Sequence, residues 1–205
     1  LIDHSDGLTY MMRGNVYQLL NEHNLACEDY KKFVEIEGVN ATVCACLGFS
    51  LYKMKRYDQA IEYYKKAIDL DARHVDTYIA MGNIFQDMGS HDQAILYYDK
   101  ALALDNNNPK ALNNRGFSKN LQEKFEEAIS DYRMALEKDR SYVCTWFNLS
   151  AVLYRQRRIV EALQAVQVAF AIDPTDERYR TDYDFFLRML KKSSDVFADQ
   201  TAPTS

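Results

Sequence analysis

The chain has 205 residues, of which 47% are hydrophobic and 27% are charged, and its net charge at pH 7 is -5. This is the composition of a globular protein with a sizeable core, and its mildly acidic balance excludes a large basic surface for nucleic acid. No apolar run approaches the roughly 18 residues that a membrane span needs, so membrane insertion is excluded as well.

The chain begins with a predicted lead-in, residues 1–6, and then repeats itself every 34 residues. The clearest copies are "YDQAIEYYKKAIDLD" at 57–71 and "HDQAILYYDKALALD" at 91–105, in which ten of fifteen residues are identical. Self-similarity at such a fixed period is the signature of a repeat architecture. The predicted array covers residues 7–176, divided into repeats 7–40, 41–74, 75–108, 109–142 and 143–176.

Each repeat is predicted to contain two helices. In the first half of the third repeat, apolar residues recur three and four positions apart at Tyr78, Met81 and Phe85, which is a helical period. Short polar segments separate the two halves of each repeat. Pro109 lies at a predicted first helical turn, where its missing N–H group costs nothing.

Two sets of small residues stay in register along the array. Because glycine within a helix costs about 1 kcal/mol relative to alanine, a periodic glycine requires a packing reason. We predict that the first helix of each repeat crosses its partner at the glycine, that the alanines supply the matching small surface, and that Tyr30, Tyr64, Tyr98 and Tyr132 fill the space between repeats. These structural positions are Gly14, Gly48, Gly82 and Gly116, and Ala26, Ala60, Ala94, Ala128 and Ala162.

The array is predicted to end in a capping helix over residues 177–192. Tyr179, Tyr183, Phe186 and Leu190 fall on one face of this helix, while Asp184 replaces the periodic glycine. A one-sided apolar stripe is what a helix needs to cover the last repeat. Residues 193–205 are predicted to form a disordered tail.

The repeat resembles the tetratricopeptide repeat family. The residues that carry the resemblance are the periodic glycines and alanines, the "YxxAIxxYxxAL"-like second helices, Trp146 and Pro174. The resemblance implies an all-α fold, a right-handed superhelical solenoid of five helix-turn-helix repeats followed by the capping helix. It also implies that the first helices line a concave groove that holds ligands.

The groove positions implied by the resemblance are rich in amides and aromatic rings. An asparagine side chain both donates and accepts hydrogen bonds, so it can bind the backbone of an extended peptide, and aromatic rings can anchor apolar side chains. The alternative is that these asparagines are incidental and that the aromatic rings pack within the groove wall. The candidate peptide-binding residues are Phe49, Tyr52, Asn83, Lys110, Asn114, Phe117, Phe147, Asn148 and Tyr154.

The sequence offers no residue to nominate as catalytic, and we predict that the protein is not an enzyme and uses no cofactor or metal. Its histidines are scattered, and no glycine-rich phosphate loop occurs. The four cysteines form no CxxC pair and are predicted to be thiols of an intracellular, cytoplasmic protein.

The function indicated is a scaffold or adaptor, within a larger protein or assembly, that binds a partner protein or an extended peptide in the groove. One alternative is the substrate-recognition region of a larger enzyme similar to O-GlcNAc transferase, whose array also has groove asparagines. Another is an adaptor for the acidic tails of chaperones. Asn83 and Asn114 match the residues that such adaptors use, but Ile79 replaces their first lysine, and Cys144 and Asn148 replace their basic pair. The sequence leaves the oligomeric state open.

Overall fold

A computed structural model describes the backbone of residues 6–201 and the side chains of residues 6–191. All regular secondary structure in this part of the chain is α-helical, which confirms the predicted all-α class. The helices are α1 (Gly7–Leu19), α2 (His23–Glu37), α3 (Ala41–Lys53), α4 (Tyr57–Leu70), α5 (Val75–Asp87), α6 (His91–Leu104), α7 (Pro109–Leu121), α8 (Phe125–Lys138), α9 (Val143–Arg155), α10 (Ile159–Ile172) and α11 (Glu177–Thr201).

The first ten helices form five pairs, and each odd-numbered helix packs mainly on the even-numbered helix that follows it. The odd-numbered helices begin at residues 7, 41, 75, 109 and 143, so the helix starts keep the period of the sequence. The chain divides into two compact halves, residues 1–106 with three pairs and residues 107–205 with two pairs and α11. We call them the N-terminal and C-terminal halves.

Both halves have cores built on the periodic small residues of the second helices. Ala26, Ala60, Ala94, Ala128 and Ala162 are all completely buried. The tyrosine four positions after each of the first four alanines is also buried, and these four rings are the largest fully buried side chains of the described chain. In these four second helices, a small alanine and a large ring lie side by side on one face, and the partner helix packs against both.

The periodic glycines make room for these tyrosine rings. A Cβ atom added at Gly48 would lie 2.9 Å from the Tyr64 ring, and the glycines at 14, 82 and 116 face the tyrosine of their own repeat in the same way. Each ring therefore packs against the glycine of its own pair, and Tyr30 also reaches Cys46 of the next repeat, as expected of a tyrosine between repeats. The expected match between the two small surfaces is seen at Gly116, where an added Cβ would lie 3.2 Å from the Ala128 carbonyl oxygen.

The turn between the two helices of every repeat has the same conformation. One residue takes a left-handed φ near +60°, and the next residue donates its N–H back to a carbonyl five positions earlier, as Arg56 does to Leu51 at 2.9 Å. This is a Schellman motif, which satisfies carbonyl groups that the helix end leaves open. The left-handed residues are Asn21, Lys55, Gly89, Glu123 and Arg157.

Helix α11 begins at Glu177, one repeat length after Val143, and packs on α10. Its Tyr179 and Phe186 are each 3% exposed, as expected for a face that covers the last pair. The helix continues to Thr201, which corrects the predicted boundary at 192: residues 193–201 contain neither glycine nor proline to interrupt it. The rest of the predicted tail, residues 202–205, lies outside the described residues.

No helix in the described part of the chain combines the length and the apolar character that crossing a bilayer requires.

Candidate functional site

The candidate peptide-binding residues all lie on first helices, three in the N-terminal half and six in the C-terminal half. In the N-terminal half, Phe49 and Tyr52 are on α3 and Asn83 is on α5. In the C-terminal half, α7 and α9 each supply three residues. These are Lys110, Asn114 and Phe117, and Phe147, Asn148 and Tyr154.

Phe49 is the most accessible aromatic candidate of the N-terminal half, with 38% of its surface exposed. The His23 ring meets it edge-on at 6.2 Å between centroids, and the Lys53 ammonium lies 5.4 Å from its centroid. Burial, followed by the nearby Lys53 charge, lowers the pKa of His23, so this imidazole is neutral at pH 7. Of the two side chains beside Phe49, His23 and Lys53, only Lys53 therefore carries a positive charge.

Phe49 and Lys53 border an open depression of about 510 Å³ between α1 and α3. Leu19, with 83% of its surface exposed, adds a second apolar side chain to its wall. The other lining residues include three amides, Asn15, Gln18 and Asn21. Apolar side chains beside a few placed amides are the usual composition of a site that binds a polypeptide segment.

Tyr52 is half-buried and is engaged within the N-terminal half. Its hydroxyl donates to the Asp87 carboxylate at 2.7 Å, which links α3 to α5, and its ring lies 6.1 Å from Tyr57. Burial and then this hydrogen bond raise the pKa of Tyr52. The hydroxyl is thus a donor to the protein itself, and the ring edge is the part of Tyr52 that a ligand could contact.

Asn83 holds a buried tyrosine in place. Its Oδ1 accepts a hydrogen bond from the Tyr98 hydroxyl at 2.8 Å, and Asn15 accepts one from Tyr30 in the same way at 2.9 Å. The sequence analysis assigned Asn83 to ligand binding, and the structure adds an internal role for its carbonyl. Such a bond fixes the orientation of the amide, which is half-buried.

In the C-terminal half, Asn114 and Asn148 are joined through Asn113, which is 5% exposed. Asn113 donates to Asn114 Oδ1 at 3.0 Å and accepts from Asn148 Nδ2 at 3.0 Å and from the Thr145 hydroxyl at 3.1 Å. We call these four residues the asparagine cluster. The cluster ties α7 to α9 and fixes both candidate amides on neighbouring first helices.

Phe117 and Lys110 complete the α7 contribution. Lys110 is exposed in the first turn, whereas Phe117 is half-buried at the position that Asn15 and Asn83 occupy in other repeats. Because Phe117 offers no acceptor, the Tyr132 hydroxyl is buried without a hydrogen-bond partner. Burial raises the pKa of Tyr132, so the phenol remains protonated.

Phe147 and Tyr154 contact the last helix. The Phe147 ring lies 5.1 Å from the Tyr179 ring, while Tyr154 lies 5.7 Å from Phe185 and 5.3 Å from Phe186. Tyr154 keeps 37% of its surface exposed. For these two residues the structure therefore supports the alternative of packing within the array, with one exposed ring edge left on Tyr154.

Sequence reasoning missed the buried ion pairs that join first and second helices. Arg115 and Lys119 of α7 reach the Asp131 carboxylate of α8 at 2.6 and 2.9 Å, and the Asp131 side chain is only 3% exposed. Arg13 pairs with Asp29 at 2.6 Å in the first repeat. The available signal was a charged residue on both helices of one repeat at positions that are apolar elsewhere, such as Leu149 and Ala165.

Among the described residues, no three His, Cys, Asp or Glu side chains are grouped as metal ligands. The four cysteines are thiols, and burial raises the pKa of Cys27, Cys44 and Cys46. The faces of the first helices thus offer hydrogen bonds, apolar contacts and single positive charges.

The comparisons with solved structures show which fold these helix pairs share. The chain is similar to one in the crystal structure of the APC/C hetero-tetramer Cut9–Hcn1, with a TM-score of 0.78 and 15% sequence identity. The match covers 90% of this chain and 37% of that chain. The PilF protein of Pseudomonas aeruginosa gives 0.77 at 18%, over 91% and 90%. YrrB, described as a TPR protein with an unusual peptide-binding site, gives 0.65 at 20%, over 86% and 91%.

The chain spans well under half of the Cut9–Hcn1 chain that it matches. A comparison with curated protein sequences gave no match. Three family models of the tetratricopeptide repeat match the sequence, over residues 9–40, 40–107 and 109–142. Together with the regular helix pairs and the periodic glycines and alanines, these matches show that the chain belongs to the tetratricopeptide repeat family.

Proposed function

We propose that the protein is a non-catalytic interaction scaffold whose first helices bind an extended, weakly charged segment of a partner protein. The observation that carries this proposal is the depression beside Phe49, where an exposed aromatic ring, an exposed Leu19 and three amides meet along α1, the turn that follows it and α3. The apolar groups suit a side chain of the segment, and the amides suit its backbone.

The asparagine cluster supports the same mode of binding in the C-terminal half. An asparagine amide has one carbonyl and two N–H groups, so the bond that Asn148 donates to Asn113 uses only part of its capacity. Because Asn114 and Asn148 are already oriented by Asn113, little side-chain freedom is lost when they bind a peptide backbone. Binding at Phe49 and at the cluster is proposed for each half by itself.

The family supports a scaffold role in general, and two of the similar structures are described by what they bind or assemble with. YrrB is described as having a peptide-binding site, and Cut9 is seen in a hetero-tetramer with Hcn1. For this chain we propose a protein or peptide partner, no nucleic acid and an assembly larger than the chain itself. Thiol cysteines favour a reducing compartment, which we propose to be the cytoplasm.

The two alternatives from the sequence are less well supported. A chaperone adaptor would need basic side chains for a terminal carboxylate, yet Ile79 is 1% exposed and Asn148 is bonded to Asn113. A recognition array of a larger glycosyltransferase would use the same first-helix amides. It differs from a scaffold only in what is attached to it.

The test is to select peptides from a display library on the full chain and to measure the affinity of variants by calorimetry. Phe49→Ala, or the double change Asn114→Ala with Asn148→Ala, should weaken the selected peptides by about 1–3 kcal/mol when the removed group is desolvated in the complex. Leu96→Ala, at an exposed position on α6, is the matched control and should leave the affinity unchanged.

Two further outcomes separate this proposal from its alternatives. Binding should depend only weakly on salt, because single exposed cations are screened and no basic cluster is engaged. Selected peptides that all end in an acidic carboxylate and lose affinity steeply in salt would instead favour the chaperone adaptor. Unchanged affinity in both groove variants would contradict the proposal.

A further inference from the structure

The C-terminal half contains a second cavity, which lies away from the candidate residues. It is an open pocket of about 450 Å³ bounded by α8, α9 and α10. Leu149, Leu153 and Ala165 line it and are buried, and Trp146 is half-buried at its side. None of these residues belongs to the proposed peptide-binding set.

The pocket beside Ala165, of about 450 Å³, is larger than its counterpart in the second repeat, which has a volume of about 350 Å³. At the same place in the second and third repeats the chain has Tyr63 and Tyr97. The Tyr97 ring stacks on Phe85 at 5.3 Å with an interplanar angle of 10°, and Leu153 is the counterpart of Phe85. Tyr63 likewise lines the corresponding depression of the second repeat. In the second and third repeats a phenol ring therefore occupies the place equivalent to that beside Ala165, and the second repeat keeps a smaller depression next to its ring.

The chemistry around the pocket also favours an aromatic occupant. In the second and third repeats a lysine lies over each ring, with Lys66 at 5.1 Å from the Tyr63 centroid and Lys100 at 4.9 Å from that of Tyr97. Val168 is the counterpart of these lysines. Arg133 and Arg140 line the pocket together with Glu137 and with Glu161, which pairs with Arg133 at 3.3 Å. A guanidinium beside an apolar cavity attracts the face of an aromatic ring more than an aliphatic side chain.

The walls of the pocket are held by hydrogen bonds within the half. The Trp146 indole N–H donates to the Arg140 carbonyl at 2.9 Å, and Arg133 reaches Glu161 at 3.3 Å from α8 to α10. Because Arg133 and Glu161 are both more than 40% exposed, their ion pair fixes the rim only weakly, and the Trp146 bond is the firmer constraint.

We propose that this pocket binds an aromatic side chain, tyrosine or phenylalanine, presented by a segment of a partner protein. The ring takes the place of the tyrosine that the fifth repeat lacks. Leu149, Leu153 and Ala165 remove its faces from water, and an arginine of the rim contacts it. This docking point is separate from the first-helix surfaces and does not depend on the function proposed for them.

The first measurement uses N-acetyl-tyrosinamide as the probe and the full chain as the receptor. Trp146 is the single tryptophan of the sequence, so its fluorescence, excited where tyrosine does not absorb, reports on this pocket alone. A saturable change with a dissociation constant on the order of millimolar is expected for a ligand of this size. N-acetyl-leucinamide should bind about tenfold more weakly, because it lacks the ring that the arginines attract.

The second measurement fills the pocket from within. Ala165→Tyr restores the residue of the second and third repeats, and probe binding, followed by saturation-transfer NMR of the probe, should fall at least about tenfold. Gln167→Tyr adds the same ring at an exposed position two residues away and should leave probe binding unchanged. If Ala165→Tyr does not fold, Ala165→Met, with its adaptable side chain, replaces it and should give the same loss.

Three results would overturn the proposal. They are the absence of a saturable signal, equal binding of the tyrosine and leucine probes, and undiminished probe binding to the filled variant. The variants also separate this site from the first-helix surfaces. Ala165→Tyr should leave the affinity for peptides selected on Phe49 unchanged, and Phe49→Ala should leave binding of the tyrosine probe unchanged.

Discussion

At the scale of single residues, two equivalent tyrosines differ in whether their hydroxyl has an acceptor. Tyr98 donates to Asn83 at 2.8 Å, whereas the Tyr132 hydroxyl is buried without a partner beside Phe117. We expect Tyr98→Phe to lower the free energy of unfolding by about 0.5–1.5 kcal/mol. Tyr132→Phe should leave it unchanged or raise it, because the change removes an unsatisfied buried group. Urea denaturation followed by circular dichroism measures both, and equal losses would contradict the assignment.

A second prediction concerns the left-handed residue of each helix turn. Lys55 has a φ of 59° at the place where the third repeat has Gly89, whose φ is 74°. Since this conformation costs a residue with a side chain about 1–2 kcal/mol, Lys55→Gly should raise the free energy of unfolding by up to about 1 kcal/mol. The reverse change, Gly89→Lys, should lower it by about 1 kcal/mol.

The reverse change is a clean control because nothing lies within 4 Å of a Cβ atom added at Gly89. Any loss of stability there comes from the backbone and not from a clash. A melting temperature that rises in Gly89→Lys would show that the left-handed conformation carries no strain in this turn.

At the scale of helix pairs, we expect the buried ion pairs between α7 and α8 to make a large contribution to stability. Asp131→Ala removes the carboxylate that Arg115 and Lys119 share, and Lys119, only 14% exposed at its side chain, keeps the longer 3.5 Å contact with the exposed Glu127. Loss of one partner of a buried pair costs about 3–5 kcal/mol. We expect a drop of that size in the free energy of unfolding, measured by urea denaturation.

The fifth repeat supplies the matched control for this prediction. It has Leu149, Leu153 and Ala165 where the fourth has Arg115, Lys119 and Asp131. Making all three replacements together should recover most of the loss, because apolar residues that fit often replace a buried ion pair without cost. A triple variant as unstable as Asp131→Ala would show that the two repeats do not share one packing scheme.

Helix positions could be predicted from the sequence because the period is strict and each repeat carries its own turn signals. The contacts of the glycines could not be predicted in this way. A small residue that recurs in the sequence indicates a close contact, but it does not indicate which residue makes that contact. Tyr64, and not an alanine, is what Gly48 faces. The left-handed turn residues were missed because four of the five are not glycine.

The candidate site was predicted only in part, and the reason differs between residues. Phe49 is exposed on α3 as the period implies, but Phe147 and Tyr154 contact α11. That helix lies after the last repeat, so no comparison between repeats could place its side chains. The role of Asn113 likewise depends on hydrogen bonds between α7 and α9, which a pattern of residue types does not specify.

For the molecule as a whole, α11 is expected to be required for stability. Removing residues 177–205 takes away Tyr179 and Phe186, which are buried, and each large apolar side chain contributes about 1.5–3 kcal/mol. We expect a loss of several kcal/mol in the C-terminal half, seen as a lower melting temperature and reduced solubility. An unchanged melting temperature and unchanged solubility after this truncation would contradict the prediction.

The position of α11 also bears on how such a chain changes its length in evolution. Because Glu177 falls one repeat length after Val143, α11 occupies the place of another first helix, on the surface that α10 offers. An in-frame duplication of the codons for residues 143–176 would place a second copy of α9 and α10 ahead of α11 and leave α11 on the surface it already covers. The gene can therefore gain a repeat in one recombination event without requiring a new interface at its end.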